Sequence, residues 1–299
     1  MLPVKWAYMI NKFLLKTSLF TGLAIIAFAA NSVLCRLALG NGAIDASSFT
    51  AIRLLSGAVA LFVILSIKGS NKGALSKGSW GASFTLFLYA ITFSYAYLSV
   101  DTGTGALILF GSVQITMIML SLISGTRLHI IEWSGVIITF TGFIYLILPN
   151  ITTPSVNGLV LMTVSGISWG IYTLKGRSSK NPLMDTTYNF LRTIPFLVLL
   201  VFFTMQNMNY SSEGIVLALI SGAITSGVGY TIWYIALGGL SSTQAAVIQL
   251  SVPVVAAIGG VIFVSEVITI RLVISATIVL SGILMVVLGK YHFTQKNTK

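Results

Sequence analysis

The stretch FTAIRLLSGAVALFVIL, Phe49 to Leu65, decides the class of fold. It is almost wholly apolar, and with its flanks it reaches the roughly 20 residues that a membrane-spanning helix needs. Yet it holds Arg53. A permanent charge near the centre of a bilayer helix costs about 3 kcal/mol or more. Such a residue binds something, is tightly paired, or reaches the interface.

The rest of the chain agrees with a membrane reading. Hydrophobic residues make up 56% of the 299 positions, charged ones 8%, and the mean hydropathy is +0.97. A soluble domain carries roughly 25% charged residues. The net charge of +11 does not point to nucleic acid, because the basic residues sit in short clusters between apolar segments, as topology signals do. The single cysteine, Cys35, leaves no intramolecular disulfide and no zinc cluster. Lys5, Lys12 and Lys16 precede an apolar run, but Leu34 stands where a lipoprotein box needs a small residue, so no cleaved signal is expected.

Ten spanning segments are expected: about 17–38, 46–67, 79–99, 103–123, 130–148, 157–175, 184–204, 213–237, 242–264 and 268–289. The links between them alternate in charge. One set holds Lys5, Lys12 and Lys16, then Lys68, Lys72 and Lys77, then Arg127, then Lys175, Arg177 and Lys180, then Lys290, Lys296 and Lys299. The other holds Asp45, Asp101, Glu213, Glu266 and a lone Arg271. By the positive-inside rule both termini are cytoplasmic. Short loops and two compact halves point to a bacterial inner membrane.

The chain also repeats itself. YAYLSVDTGTGALILFGSV (Tyr95 to Val113) resembles YIALGGLSSTQAAVIQLSV (Tyr234 to Val252), an offset of 139 residues. The same offset carries Thr104 onto Thr243 and Arg53 onto Arg192; Gly142 meets Gly282 one residue later. The expected division is a terminal segment 1–16, a first five-helix repeat 17–149, a second 156–289 and a tail 290–299. An odd number of helices per half forces the second half to enter the membrane from the opposite side. That is the inverted repeat of many secondary transporters, whose site lies near the midplane between the halves.

Several motifs resemble the drug/metabolite transporter superfamily, specifically its ten-helix EamA-type transporters. AAVIQLSVPVVAAIGGVIFVSEVITIRLVISATIVLSGI (Ala245 to Ile283) is similar to the family's late pattern, with Pro253, Glu266 and Gly282 in place. SFTAIRLLSGA (Ser48 to Ala58) resembles its second-helix arginine motif, and GALILFGSVQITMI (Gly105 to Ile118) a variant fourth helix. The resemblance covers essentially the whole chain. The first half departs from it: Gln114 stands opposite Pro253, and Thr126 or Arg127 opposite Glu266. The resemblance implies an all-α polytopic transporter and, among substrates, most readily amino acids and related compounds.

The candidate site residues are the polar and aromatic groups inside the segments. Arg53 and Arg192, at mirrored depths, would be positive ends of a central path able to take a carboxylate or phosphate. The alternative for each is a bond to helix-end carbonyls or reach to the interface. No Asp or Glu lies in the middle of a segment, which weighs against an intramembrane proton site and against a cationic drug as substrate. Tyr89, Phe93 and Tyr97 share one helix face, as do Tyr230, Trp233 and Tyr234; Trp169 and Tyr172 lie one turn apart. Tyr89, Trp169, Tyr230 and Trp233 are expected to line the site. Asn31, Gln114, Asn189 and Gln249 complete the set, with interhelical bonding as the plainer role. Pro253 should kink the ninth segment, and Gly227 and Gly229 should give mobility.

These residues imply a secondary transporter, an exporter or facilitated carrier of a small organic metabolite such as an amino acid. Nucleosides, organic anions and lipid-linked groups are the alternatives. No phosphate-binding loop, no HExxH and no membrane carboxylate pair is present, so no enzyme, cofactor or metal is expected. A channel lacks a visible filter. The expected partners are the substrate and membrane lipids, with the chain working as a monomer or weak homodimer.

Overall fold

The computed structural model describes residues 2–68, 77–123, 129–147, 155–177, 179–240, 245 and 248–296. Lys72, Thr126, Arg127, Lys180's neighbour Ser178, the loop before Ser155, Thr243 and Lys299 lie outside them. The protein is an all-α polytopic membrane protein. The first half holds α1 (Leu2–Gly40), α2 (Ala46–Lys68), α3 (Trp80–Ala96), α4 (Thr102–Ile123) and α5 (Ile130–Ile147). The second holds α6 (Val156–Gly176), α7 (Pro182–Leu191), α8 (Ile194–Thr204), α9 (Ser212–Ile220), a π-helical turn (Ser221–Val228), α10 (Gly229–Leu237), α11 (Val252–Val264) and α12 (Ile270–Lys296). Among the described residues, five helical stretches are long and apolar enough to cross a membrane, including Leu15–Gly40 and Ala46–Lys68.

Local chemistry sets the ends of these helices. Ser79, Ser155, Asn181 and Ser211 each accept a hydrogen bond from the backbone N–H three residues on, satisfying a donor that the first helical turn leaves free. Pro182 follows Asn181 at the first helical position, where its missing N–H costs nothing. Asp45 caps α2, accepting from the backbone N–H of Ser47 at 3.0 Å and of Ser48 at 2.9 Å.

Two expected helices are interrupted. The seventh segment is α7 and α8, broken at Arg192 and Thr193 just before Pro195. In the ninth, α11 restarts at Val252, with Pro253 in its first turn. Pro253 therefore opens a helix after a break at Leu250–Ser251, rather than kinking a continuous one. The eighth segment keeps its length but widens over Ser221–Val228.

The packing follows a rule of exchange. α1 packs on the α9–α10 segment and on α11, while α6 packs on α3 and on α4. α2 packs on the π-turn, and α7 packs on α3. Swapping each first-half segment with its second-half counterpart turns each of these pairs into its partner. The contacts of α2 with α7, α4 with α11 and α5 with α12 map onto themselves. The helices of residues 2–147 and 155–296 therefore interleave instead of packing side by side.

Among the described residues, loop contacts and charged groups gather at the two ends of the bundle. At one end the α1–α2 loop meets the α8–α9 loop: the backbone N–H of Asp45 donates to the Asn209 carbonyl at 2.8 Å, and that of Ser211 to Ala43. Arg36, Asp101 and Glu266 gather at the same end. The other end holds Lys77, Lys175, Asp185 and Arg192.

Candidate substrate site

Three elements converge on Arg53, which is completely buried. Its Nε donates to Ser226 Oγ at 2.9 Å. Its Nη2 donates to the hydroxyls of Tyr89 at 3.1 Å and Tyr230 at 2.7 Å. The guanidinium also lies over the rings of Tyr89 (5.3 Å) and Phe93 (5.0 Å), contacts worth about 1–2 kcal/mol when desolvated. Its Nη1 has no partner among the described residues. Burying an ion costs several kcal/mol, and these neutral contacts offset it only in part.

Asn31 organises the far side. Its Oδ1 accepts from the hydroxyls of Ser221 (2.7 Å), Thr225 (3.2 Å) and Ser226 (3.4 Å), and its Nδ2 donates to Tyr89 at 3.3 Å. The three hydroxyls reach one oxygen because they come from the π-turn, whose wider coil redirects successive side chains; such turns recur at functional sites. Close approach of glycines seats that turn on α2. A Cβ on Gly222 would come within 2.1 Å of the Arg53 carbonyl oxygen, and one on Gly57 within 3.0 Å of the Gly222 carbonyl.

Aromatic rings wall the centre. Trp169 lies 4.5 Å from Tyr230 and 5.0 Å from Tyr89 between ring centroids. Phe28 stands edge-on to Trp169 (5.4 Å) and Trp233 (5.5 Å). The indole N–H groups of Trp169 and Trp233 are buried without partners.

Side-chain contacts draw the helices together near both ends of the bundle. Glu266 accepts from Arg36 Nε at 3.1 Å and caps α4 through the backbone N–H of Thr102, at 3.0 and 2.9 Å. Arg36 also donates to the Tyr97 carbonyl (3.0 Å) and to Asp101 (3.3 Å), so one cluster ties α1, α3, α4 and α11. A cavity of about 300 Å³ opens beside Asp101 and Glu266. At the other end Tyr234 crosses above Gly176, where any Cβ would collide with its ring, and donates to the Tyr172 carbonyl at 3.1 Å. A cavity of about 160 Å³, lined by Lys175, Ser179, Asp185 and Asn189, lies on Tyr234.

The structure brings Asn31, Arg53, Tyr89, Trp169, Tyr230 and Trp233 together and sets others apart. Arg192 does not join Arg53. It ends α7, donates to the Lys77 carbonyl and lies over Trp80 and Tyr188 at 5.8 Å. The helix break at Thr193 holds it at the Lys77 end, so the mirrored pair of arginines is not formed. Asn189 also serves that end: its Oδ1 accepts from the Ser79 backbone N–H at 3.0 Å, beside the Asp185–Gly78 bond of 2.9 Å. Gln249 donates to the Ala245 carbonyl at 3.3 Å, and Gln114 is buried in α4. Gly227 packs on Gly57 within the π-turn, and Gly229 opens α10 against Ala27.

Asn189→Ala should lower stability by about 1–2 kcal/mol, because it strips the acceptor from a backbone donor. Ligand binding should be unchanged, as thermal unfolding with and without ligand would show. A binding loss without a stability loss would return Asn189 to the site.

Sequence reasoning missed Phe28, Ser221, Thr225 and Ser226. Phe28 reads as one more apolar residue. The hydroxyls read as scattered small residues, because a π-turn has no period that the sequence displays.

A multi-pass helical bundle with a charged, aromatic-walled centre between interleaved halves defines a membrane transporter. The EamA-like transporter family model matches residues 156–288. The uncharacterized protein PA1977 of Pseudomonas aeruginosa is 44% identical over 91% of this chain and 94% of its own length. The uncharacterized transporter YoaV of Bacillus subtilis is 21% identical over 79% and 85%. A solved crystal structure superposes with a TM-score of 0.62 at 15% identity, covering 89% of this chain and 96% of that one, a likeness of fold alone. The chain belongs to the EamA-like transporter family.

Proposed function

We propose that the protein is a secondary transporter of a small organic metabolite, an exporter or facilitated carrier working by alternating access around Arg53. It would sit in a bacterial inner membrane with both termini cytoplasmic, and function as a monomer or weak homodimer. One observation carries this reading: a fully buried guanidinium with a free Nη1 is held jointly by the two halves, through Tyr89 on one side and Ser226 and Tyr230 on the other. Relative rocking of the halves would then change what holds Arg53. The contacts at the Glu266 and Tyr234 ends would loosen in alternation.

Proteoliposomes preloaded with a metabolite mixture test this. A carrier gives saturable uptake that rises when the same compound waits on the far side. Uptake without that trans-stimulation would mean a channel. No protein-dependent flux for any amino acid, nucleoside or organic acid would end the transport reading.

A further inference from the structure

We infer that the ligand is an organic monoanion, bound through a carboxylate at Arg53 and lacking an ammonium group beside it. This rests on the transport reading above and narrows it to a class. The inference comes from the balance of donors and acceptors at the centre. Arg53 has five N–H donors: one goes to Ser226 and two to Tyr89 and Tyr230, and both on Nη1 are unused. The Tyr230 hydroxyl donates to that of Tyr89 at 3.0 Å. Tyr89 thus accepts from Arg53, Tyr230 and Asn31, and among the described residues its own hydroxyl hydrogen meets no acceptor. The indole N–H of Trp169, whose ring adjoins both tyrosines, is also unpartnered.

Among the groups that bond Arg53 and its partners, acceptors are scarce by comparison. Asn31 Oδ1 already takes three hydroxyls. The spare lone pairs of Tyr230 and Ser226 sit on oxygens bonded to the guanidinium, where an ammonium would meet a like charge. The chain's six carboxylates all lie at helix ends: Asp45, Asp101, Glu132, Asp185, Glu213 and Glu266. A centre with one positive charge, unused donors and no balancing carboxylate fits one negative charge. A carboxylate suits the planar fork of the guanidinium, and the rings of Phe28, Trp169 and Tyr230 suit a flat apolar body.

Three matched probes separate the possibilities: 3-phenylpropionate, phenylalanine and phenethylamine, which present the same ring with a carboxylate, with both groups, or with an ammonium alone. Their binding to the purified full-length protein would be read by tryptophan fluorescence and by thermal shift. The expected result is binding of 3-phenylpropionate about tenfold or more tighter than phenylalanine, with no response to phenethylamine. Arg53→Lys keeps the charge but removes the fork and should erase most of that preference. Phenylalanine binding as tightly as the acid, or failure of all three to bind, would overturn the assignment. Counterflow in proteoliposomes keeps the two readings apart: preferential acid binding without flux would remove transport and keep the site, whereas flux of zwitterions without acid preference would do the reverse.

Discussion

Arg53→Met is expected to abolish ligand binding and to leave the folded protein as stable as the parent or about 1 kcal/mol more stable. Methionine is flexible, apolar and able to fill irregular gaps. It removes a buried ion that faces no carboxylate, and so removes a desolvation cost that neutral hydroxyls offset only in part. Little is orphaned by the change. Tyr230 still donates to Tyr89, and Ser226 still donates to Asn31. A residue kept for structure behaves otherwise: its loss would lower the melting temperature along with binding. Thermal unfolding of both proteins in detergent, beside a binding titration, decides between them. A loss of 2 kcal/mol or more would make Arg53 a structural keystone.

Gly222→Val should be among the most destabilising single changes in the second half, by about 3 kcal/mol or more. A Cβ there would stand 2.0 Å from Ser56 Oγ and 2.1 Å from the Arg53 carbonyl oxygen. The second of these is backbone, so it cannot rotate away, and the π-turn would be driven off α2. Ser221 and Ser226 would move with it, so binding should fall together with stability. Gly22→Ala is the control: a Cβ there meets nothing within 4 Å, and alanine in a helix is favoured over glycine by about 0.5–1 kcal/mol. An unchanged melting temperature for Gly222→Val would show that α2 and the π-turn are not seated as described.

Much of the fold was legible because a bilayer imposes a length and a polarity on each helix. The expected segment 103–123 is α4, and 157–175 is α6, each within a residue or two. Of the charged links, those of Asp101 and Glu266 do meet at one end, around Arg36. The expected segment 184–204 was right in extent and wrong in continuity, because apolar content does not reveal a break at Arg192–Thr193. That break also undid the symmetry argument for Arg192. An offset of 139 residues aligns two arginines in sequence, but depth depends on where each helix stops. The core of the site was legible for a different reason: Arg53, Asn31 and Tyr89 are costly inside a membrane, so their presence needed explaining. The hydroxyls of the π-turn carry no such cost and gave no signal.

A single uncompensated cation at the centre has an electrical consequence. In the alternating-access cycle proposed above, the membrane field would fall mainly across whichever end is shut, so Arg53 would take the potential of the side to which the centre is open. Unloaded, the centre bears one positive charge; with a monoanion bound it is neutral. Voltage would then act on the return of the empty carrier and spare the loaded step. One elementary charge gains about 2.3 kcal/mol per 100 mV, so an inside-negative potential would hold the empty centre facing inward, poised to capture ligand from the cytoplasm. Transient currents recorded without ligand, and suppressed by it, would be the electrical signature of Arg53; currents seen only with ligand present would place the charge movement elsewhere in the cycle.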